Sequence, residues 1–197
     1  MAPVTTARSC STRSDVVVGA GGEAAASVGG GSVARMTTKY DDASWHFDGE
    51  GYPPEAGPEA GATHIGMFLA WAALSGHVSA ELEEDSEDEL AALRERTTTP
   101  GAFVHESRDG KLVDVDLDDV GAAFASAYYA GDDEDEGDGG LYLEDYVDAV
   151  SPGDGEPEDV YRVPDTWETY ELVAPLIDAR FSQWDDEGRP AVLRHRA

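Results

Sequence analysis

The sequence predicts a mainly α protein: a single compact helical domain of about five or six helices with at most a small β element, α+β being the alternative. Three observations carry this. Apolar residues recur at intervals of three or four in several segments, most clearly in "DTWETYELVAPLIDARFSQW". An uncharged run extends from Ala60 to Ala80. Strict apolar–acidic alternation occurs in one place, around Val113.

Taken in order, residues 1–35 differ in kind from the rest. They are rich in Gly, Ala and Ser and hold Arg8, Arg13 and Arg35 against Asp15 and Glu23. They are expected to be a low-complexity N-terminal extension, with Met36 a candidate true start. The segment "DVVVGAGGEAAA" matches a dinucleotide-binding fingerprint at Gly19, Gly21 and Ala24. That motif also needs a following helix and a second strand. Here "GGGS" interrupts the helix and no βαβ alternation follows, so no cofactor is expected.

From residue 36 a single globular domain is predicted to run to residue 187. "KYDDASWH" opens it, followed by a loop held out of helix by Pro53, Pro54 and Pro58. A first long helix is expected from Glu59 to about Val78, and a second over 84–96 with Leu90 and Leu93 inward. Pro100 suits the first position of a short third helix over 99–107. Over 109–119, Val113, Val115 and Leu117 alternate with aspartates as in a strand, though those aspartates could equally precede a helix. Val120, Phe124, Ala127 and Tyr128 share one helical face, which Gly131 would close. The acidic run 131–140 reads as a solvated loop insertion. Leu143, Tyr146, Val147 and Val150 repeat at helical spacing. The last helix has Asp165 as its expected N-cap and Pro175 as an expected kink or break. Residues 188–197 are expected to be a short basic, solvated tail.

Composition narrows the function classes. The 197 residues carry 42 acidic and 13 basic side chains, a formal charge of −29. At molar salt the screening length falls to ~3 Å, so crowded carboxylates stop repelling one another. The charge therefore points to a salt-adapted (halophilic) acidic protein whose surface holds hydrated cations. A basic stripe able to displace counterions from nucleic acid is missing, so no nucleic-acid partner is expected. Cys10, the one cysteine, excludes an intramolecular disulfide and thiolate metal sites. No secretory apolar region is apparent, and the run 60–80 is flanked by Glu59 and Glu81 and diluted by Gly, Ala, Ser and His. A cytoplasmic location and no membrane partner are expected. Phe68 and Trp71 should be buried.

Motifs for chemistry are incomplete. Calcium loops starting at Asp114 or Asp132 lack the bidentate Glu at the twelfth position. "HESRD" begins like a zinc helix but puts Asp109 where the second histidine belongs. No G-x-S-x-G elbow exists. "YDDASWH" does concentrate polar groups in one stretch. The candidate binding residues are Asp41, Asp42, Trp45, His46 and His64, with a His₂–carboxylate site from His46, His64 and Asp42 the metal arrangement considered. The plainer roles are Trp45 as an anchor to the core and Asp42 as a helix cap.

The blocks "KYDDASWH" (39–46), "GATHIGMFLAW" (61–71), "AYY" (127–129), "YLEDY" (142–146) and "DTWETY" (165–170) mark a resemblance. The chain resembles an uncharacterised prokaryotic family, a domain of unknown function, over most of residues 38–185. The resemblance implies that residues 1–35 are an extension and 131–140 an insertion; it implies no activity. Two functions follow as expectations. The first is a salt-adapted, non-enzymatic binding or regulatory protein, immunity-like, with a protein partner. The alternative is a small metal- or acid/base-dependent hydrolase using Asp41, Asp42, His46 and His64. The separation of His46 and His64 discriminates between them.

Overall fold

The computed structural model describes residues 37–47, 52–53, 55–131, 140–150 and 157–196. The expected leader, its dinucleotide-like stretch and most of the acidic loop lie outside these. Among the described residues are eight α-helices and one two-stranded sheet. The protein is mainly α with a small β element.

Helix α2 (Thr63–Ser75) is the hub. It is buried from Thr63 to Ala73, as a helix apolar all round must be. Gly76, at φ +78°, ends it three residues short of expectation, and its first expected turn is a separate 3₁₀ segment, Pro58–Ala62. Phe68 and Trp71 are 0% and 2% exposed. Gly66 lets α5 (Pro100–Arg108) touch α2 backbone to backbone: a Cβ there would collide with the Pro100 carbonyl. The second expected helix is α4 (Glu87–Arg94), and before it lies a further, unexpected helix, α3 (Ala80–Asp85), capped by Ser79. Helix α3 and the short α1 raise the helix number above the expected five or six.

Helix α8 (Trp167–Asp186) lies across α2, and Trp71 Nε1 donates to Asp178 at 2.7 Å. Phe124, Phe181 and Trp184 complete an aromatic core, with Phe124 5.4 Å from Trp71 and 5.1 Å from Phe181 between ring centroids. Pro175 does not break α8. It sits on the exposed face, beside Leu172 and Leu176, where water can serve the carbonyl that proline leaves unbonded. The N-cap is Thr166 rather than Asp165. Asp165 instead accepts from Thr99 Oγ1, Gly101 N and Ala102 N, closing the start of α5.

Strand β1 (Lys39–Asp42) pairs antiparallel with β2 (Lys111–Val113), Asp41 opposite Leu112, with an irregularity between Lys39 and Asp41. The expected alternation over 113–117 is out of register. Leu112 is buried and Val115 exposed, while a 3₁₀ turn at Asp114–Asp116 buries both aspartates. Helix α6 (Asp119–Phe124), capped by Asp118, passes into a π-helical turn, Ala125–Ala130, closed by Gly131 at φ +71°. Helix α7 (Leu141–Val150) turns Leu141, Tyr142, Asp145 and Tyr146 inward and leaves Leu143 exposed.

The basic end keeps its arginines exposed but is anchored through Leu193. Leu193 is 3% exposed and its N–H donates to the Ala127 carbonyl at 2.8 Å. Arg180 grips Asp145 with two nitrogens, at 2.6 and 2.8 Å, and its Nη2 also meets His195 Nδ1 at 3.1 Å. An apolar leucine therefore overrides the charge pattern on which solvation is expected. Among the described residues no helix is long and apolar enough to cross a membrane.

Candidate functional site

The sheet ends where α1 (Ala43–His46) begins, and this junction places the site. Asp42 is the N-cap of α1, accepting from Ser44 N at 3.0 Å, and it also pairs with Lys39 Nζ at 2.7 Å. The plain expectation for Asp42 is correct, and Asp42 does not join the histidines. Trp45 does not anchor anything to the core. It is 54% exposed, with Lys39 Nζ 4.6 Å from its ring centroid.

Asp41 is the residue on which the histidines converge. His46, at the end of α1, puts Nε2 2.9 Å from Asp41 Oδ1. His64, in the first turn of α2, puts Nε2 3.1 Å from Oδ2. Their rings meet edge to face at 4.8 Å, so the two histidines share one site. Tyr129, carried by the π-helical turn, donates to Asp41 Oδ2 at 2.6 Å, and Asp42 N donates to Oδ1 at 2.7 Å. Such turns recur at functional positions because the extra residue re-aims its side chains.

Four donors thus surround one carboxylate. Burial opposes ionisation of Asp41, but the hydrogen bonds from His46, His64 and Tyr129 outweigh it and hold the carboxyl far below its ordinary range. Burial, then the Asp41 charge, pushes the Tyr129 hydroxyl well above its ordinary value, so it stays protonated and donates. An ionised carboxylate only accepts, so each histidine carries hydrogen on Nε2. His46 Nδ1 is hydrogen-bonded to Tyr161 OH at 3.0 Å. His64 Nδ1 is buried and finds no partner among the described residues. Tyr142 OH donates to the His64 carbonyl at 2.6 Å, fixing the start of α2.

Asp41, His46 and His64 each offer one ligand atom, and these atoms lie within 4.8 Å of one another. The residues border a cavity of about 470 Å³ whose wall includes Lys39, Trp45, Tyr129 and Leu143. His105, from the incomplete zinc motif, is exposed on α5 and belongs to no such group among the described residues.

Sequence reasoning found four of the residues at this site and missed Tyr129, Tyr142, Tyr161 and Lys39 as participants. Tyr129 and Tyr142 fall inside "AYY" and "YLEDY", blocks that mark the family resemblance. Tyr161 carries no sequence signal.

The motifs around this site, with the helical fold that holds them, define a domain family and no activity class. Residues 39–163 match the family described as "Domain of unknown function (DUF7832)", and the chain belongs to that family. No curated protein and no solved structure matches the chain.

Proposed function

We propose that Asp41, His46 and His64 hold a divalent transition-metal cation and that the protein is a small metal-dependent hydrolase. The observation that supports this is the convergence of two imidazole Nε2 atoms on a single buried carboxylate beside a cavity. Three nitrogen and oxygen ligands are the set that catalytic zinc sites use, leaving a position for water. To ligate through Nε2, each neutral ring would carry its proton on Nδ1 instead. On His46 that nitrogen already faces the Tyr161 hydroxyl, a suitable outer partner. A cation held by Asp41, His46 and His64 would polarise water for attack. Its role would be to supply Lewis-acid chemistry for water-dependent cleavage at an electrophilic carbon or phosphorus. Tyr129 keeps the Asp41 carboxylate in place throughout.

The reading keeps the expected setting, a salt-rich cytoplasm. Calorimetric titration with zinc and manganese in molar KCl, with elemental analysis of protein from native cells, tests it. One bound cation per chain is expected, lost in His46→Ala and His64→Ala. Wild-type protein that binds neither cation overturns the proposal.

The non-enzymatic binding or regulatory reading has its own observation, the exposed side chains of Trp45 and Phe47. A stoichiometric protein partner captured in molar KCl, with no metal in the purified chain, would favour it.

A further inference from the structure

The cavity beside Asp41 has a rim as well as a floor, and the rim bears on what enters. Trp45 lines it and shows more than half of its surface to solvent, an unusual position for the side chain with most to gain from burial. Lys39 lines it too, and its ammonium holds the indole by a cation–π contact at 4.6 Å. That ammonium spends one donor on Asp42 at 2.7 Å, and an ammonium has three. Leu143, exposed on α7, adds an apolar edge.

The local charge differs from that of the whole chain. Counting only described residues, a divalent cation on Asp41 with neutral imidazoles and the Lys39–Asp42 pair would leave one net positive charge at the cavity. The chain as a whole carries −29. The three residues proposed to hold the cation, and Lys39, border one space of a size that suits a small organic ligand. A phosphate brings up to two negative charges and three free oxygens to the cation and the ammonium, whereas a carboxylate brings one charge and two oxygens.

We propose that the site takes an organic phosphate carrying a planar ring, the phosphate between the Asp41-held cation and Lys39 and the ring against Trp45. This rests on the metal reading above and names the substrate class of that site.

The test uses full-length protein, zinc-loaded and folded in molar KCl, titrated calorimetrically with phenylphosphonate, methylphosphonate and benzoate. The first two share a head group that the site cannot hydrolyse to an alcohol and differ in the ring. Phenylphosphonate is expected to bind more tightly than methylphosphonate by ~3- to 10-fold, the scale of one aromatic contact. Trp45→Ala should erase that preference and leave zinc affinity unchanged, since Trp45 is no ligand. Lys39→Gln should weaken both phosphonates by ~10-fold or more, the loss of a charge-assisted hydrogen bond. Benzoate should bind more weakly than phenylphosphonate.

Equal binding of the two phosphonates, a ring preference that survives Trp45→Ala, or benzoate binding as tightly as phenylphosphonate overturns the proposal. Failure of the metal reading shows separately, as no zinc heat in the wild type. The same phosphonate comparison on zinc-free protein then decides the substrate class: a preference that depends on Trp45 and Lys39 supports it, and none overturns it.

Discussion

Tyr129 donates its hydroxyl to Asp41 Oδ2 at 2.6 Å, joining residues 88 positions apart. The bond ties the π-helical turn to the end of β1 and fixes the carboxylate on which His46 and His64 meet. Tyr129→Phe keeps the ring stacked on Tyr142 and removes one of four donors to a buried charge. The expected cost is about 1.5–3 kcal/mol of stability, the range for a hydrogen bond to a charged group. Zinc affinity should fall by ~10- to 100-fold, as for other outer-shell changes. Chemical denaturation and calorimetry measure the two. A variant with wild-type zinc affinity would show that Tyr129 does not position the ligand.

Asp116 is expected to make stability fall as pH rises from about 4 to about 6. Burial pushes its carboxyl up to about 6, against the pull of Arg108 2.9 Å away. In that window the native state holds a proton that the unfolded state has released, so deprotonation favours unfolding. Asp116→Asn removes the effect. Relative to wild type, the variant should gain melting temperature between pH 4 and pH 7. A constant difference across that range would refute the assignment. Asp41 runs the other way: its carboxyl is depressed, so its contribution is present at neutral pH and fades only as pH falls below about 4.

Trp71→Ala should cost about 3–5 kcal/mol, because the indole is enclosed by Phe68, Phe124 and Phe181 and leaves a large cavity. Trp71→Phe should cost less. It retains most of the apolar contact and gives up chiefly the bond to Asp178, which is exposed and can turn to water. Urea denaturation in molar KCl ranks the two. Equal losses would mean that the hydrogen bond, not the packing, holds α8 on α2.

The formal charge of −29 should make stability rise steeply from dilute buffer to molar KCl. Self-repulsion is strong when the screening length is ~30 Å and small when it is ~3 Å. Thermal melts across a KCl series measure this, and a flat series would remove the salt-adaptation reading.

Much of the helical architecture is legible in the sequence because helix burial repeats locally. Residues three and four apart share a face whatever lies elsewhere in the chain. The uncharged run is a buried helix, Pro100 starts α5, and the period around Tyr170, Ile177 and Trp184 marks α8. The errors fall where a local rule has more than one solution. An aspartate next to a helix reads as its cap, yet Asp165 serves α5, more than sixty residues earlier in the chain. Alternating valines read as a strand, yet the chain turns after Val113 and buries Asp114 and Asp116 instead. A basic tail reads as solvated, yet Leu193 enters the core.

By itself the sequence determined that this is a mainly helical protein with a buried α2, a strongly acidic composition and a polar cluster in "YDDASWH". It also marked His64 as the histidine where α2 meets that cluster. Only the tertiary structure decided that the centre is Asp41 rather than Asp42, that both histidines reach it, and that Tyr129 and Tyr161 complete the network. The physical reason is distance along the chain. Burial and capping follow from neighbours a turn away, whereas a site depends on side chains brought together from β1, α1, α2, the π-helical turn and the segment holding Tyr161.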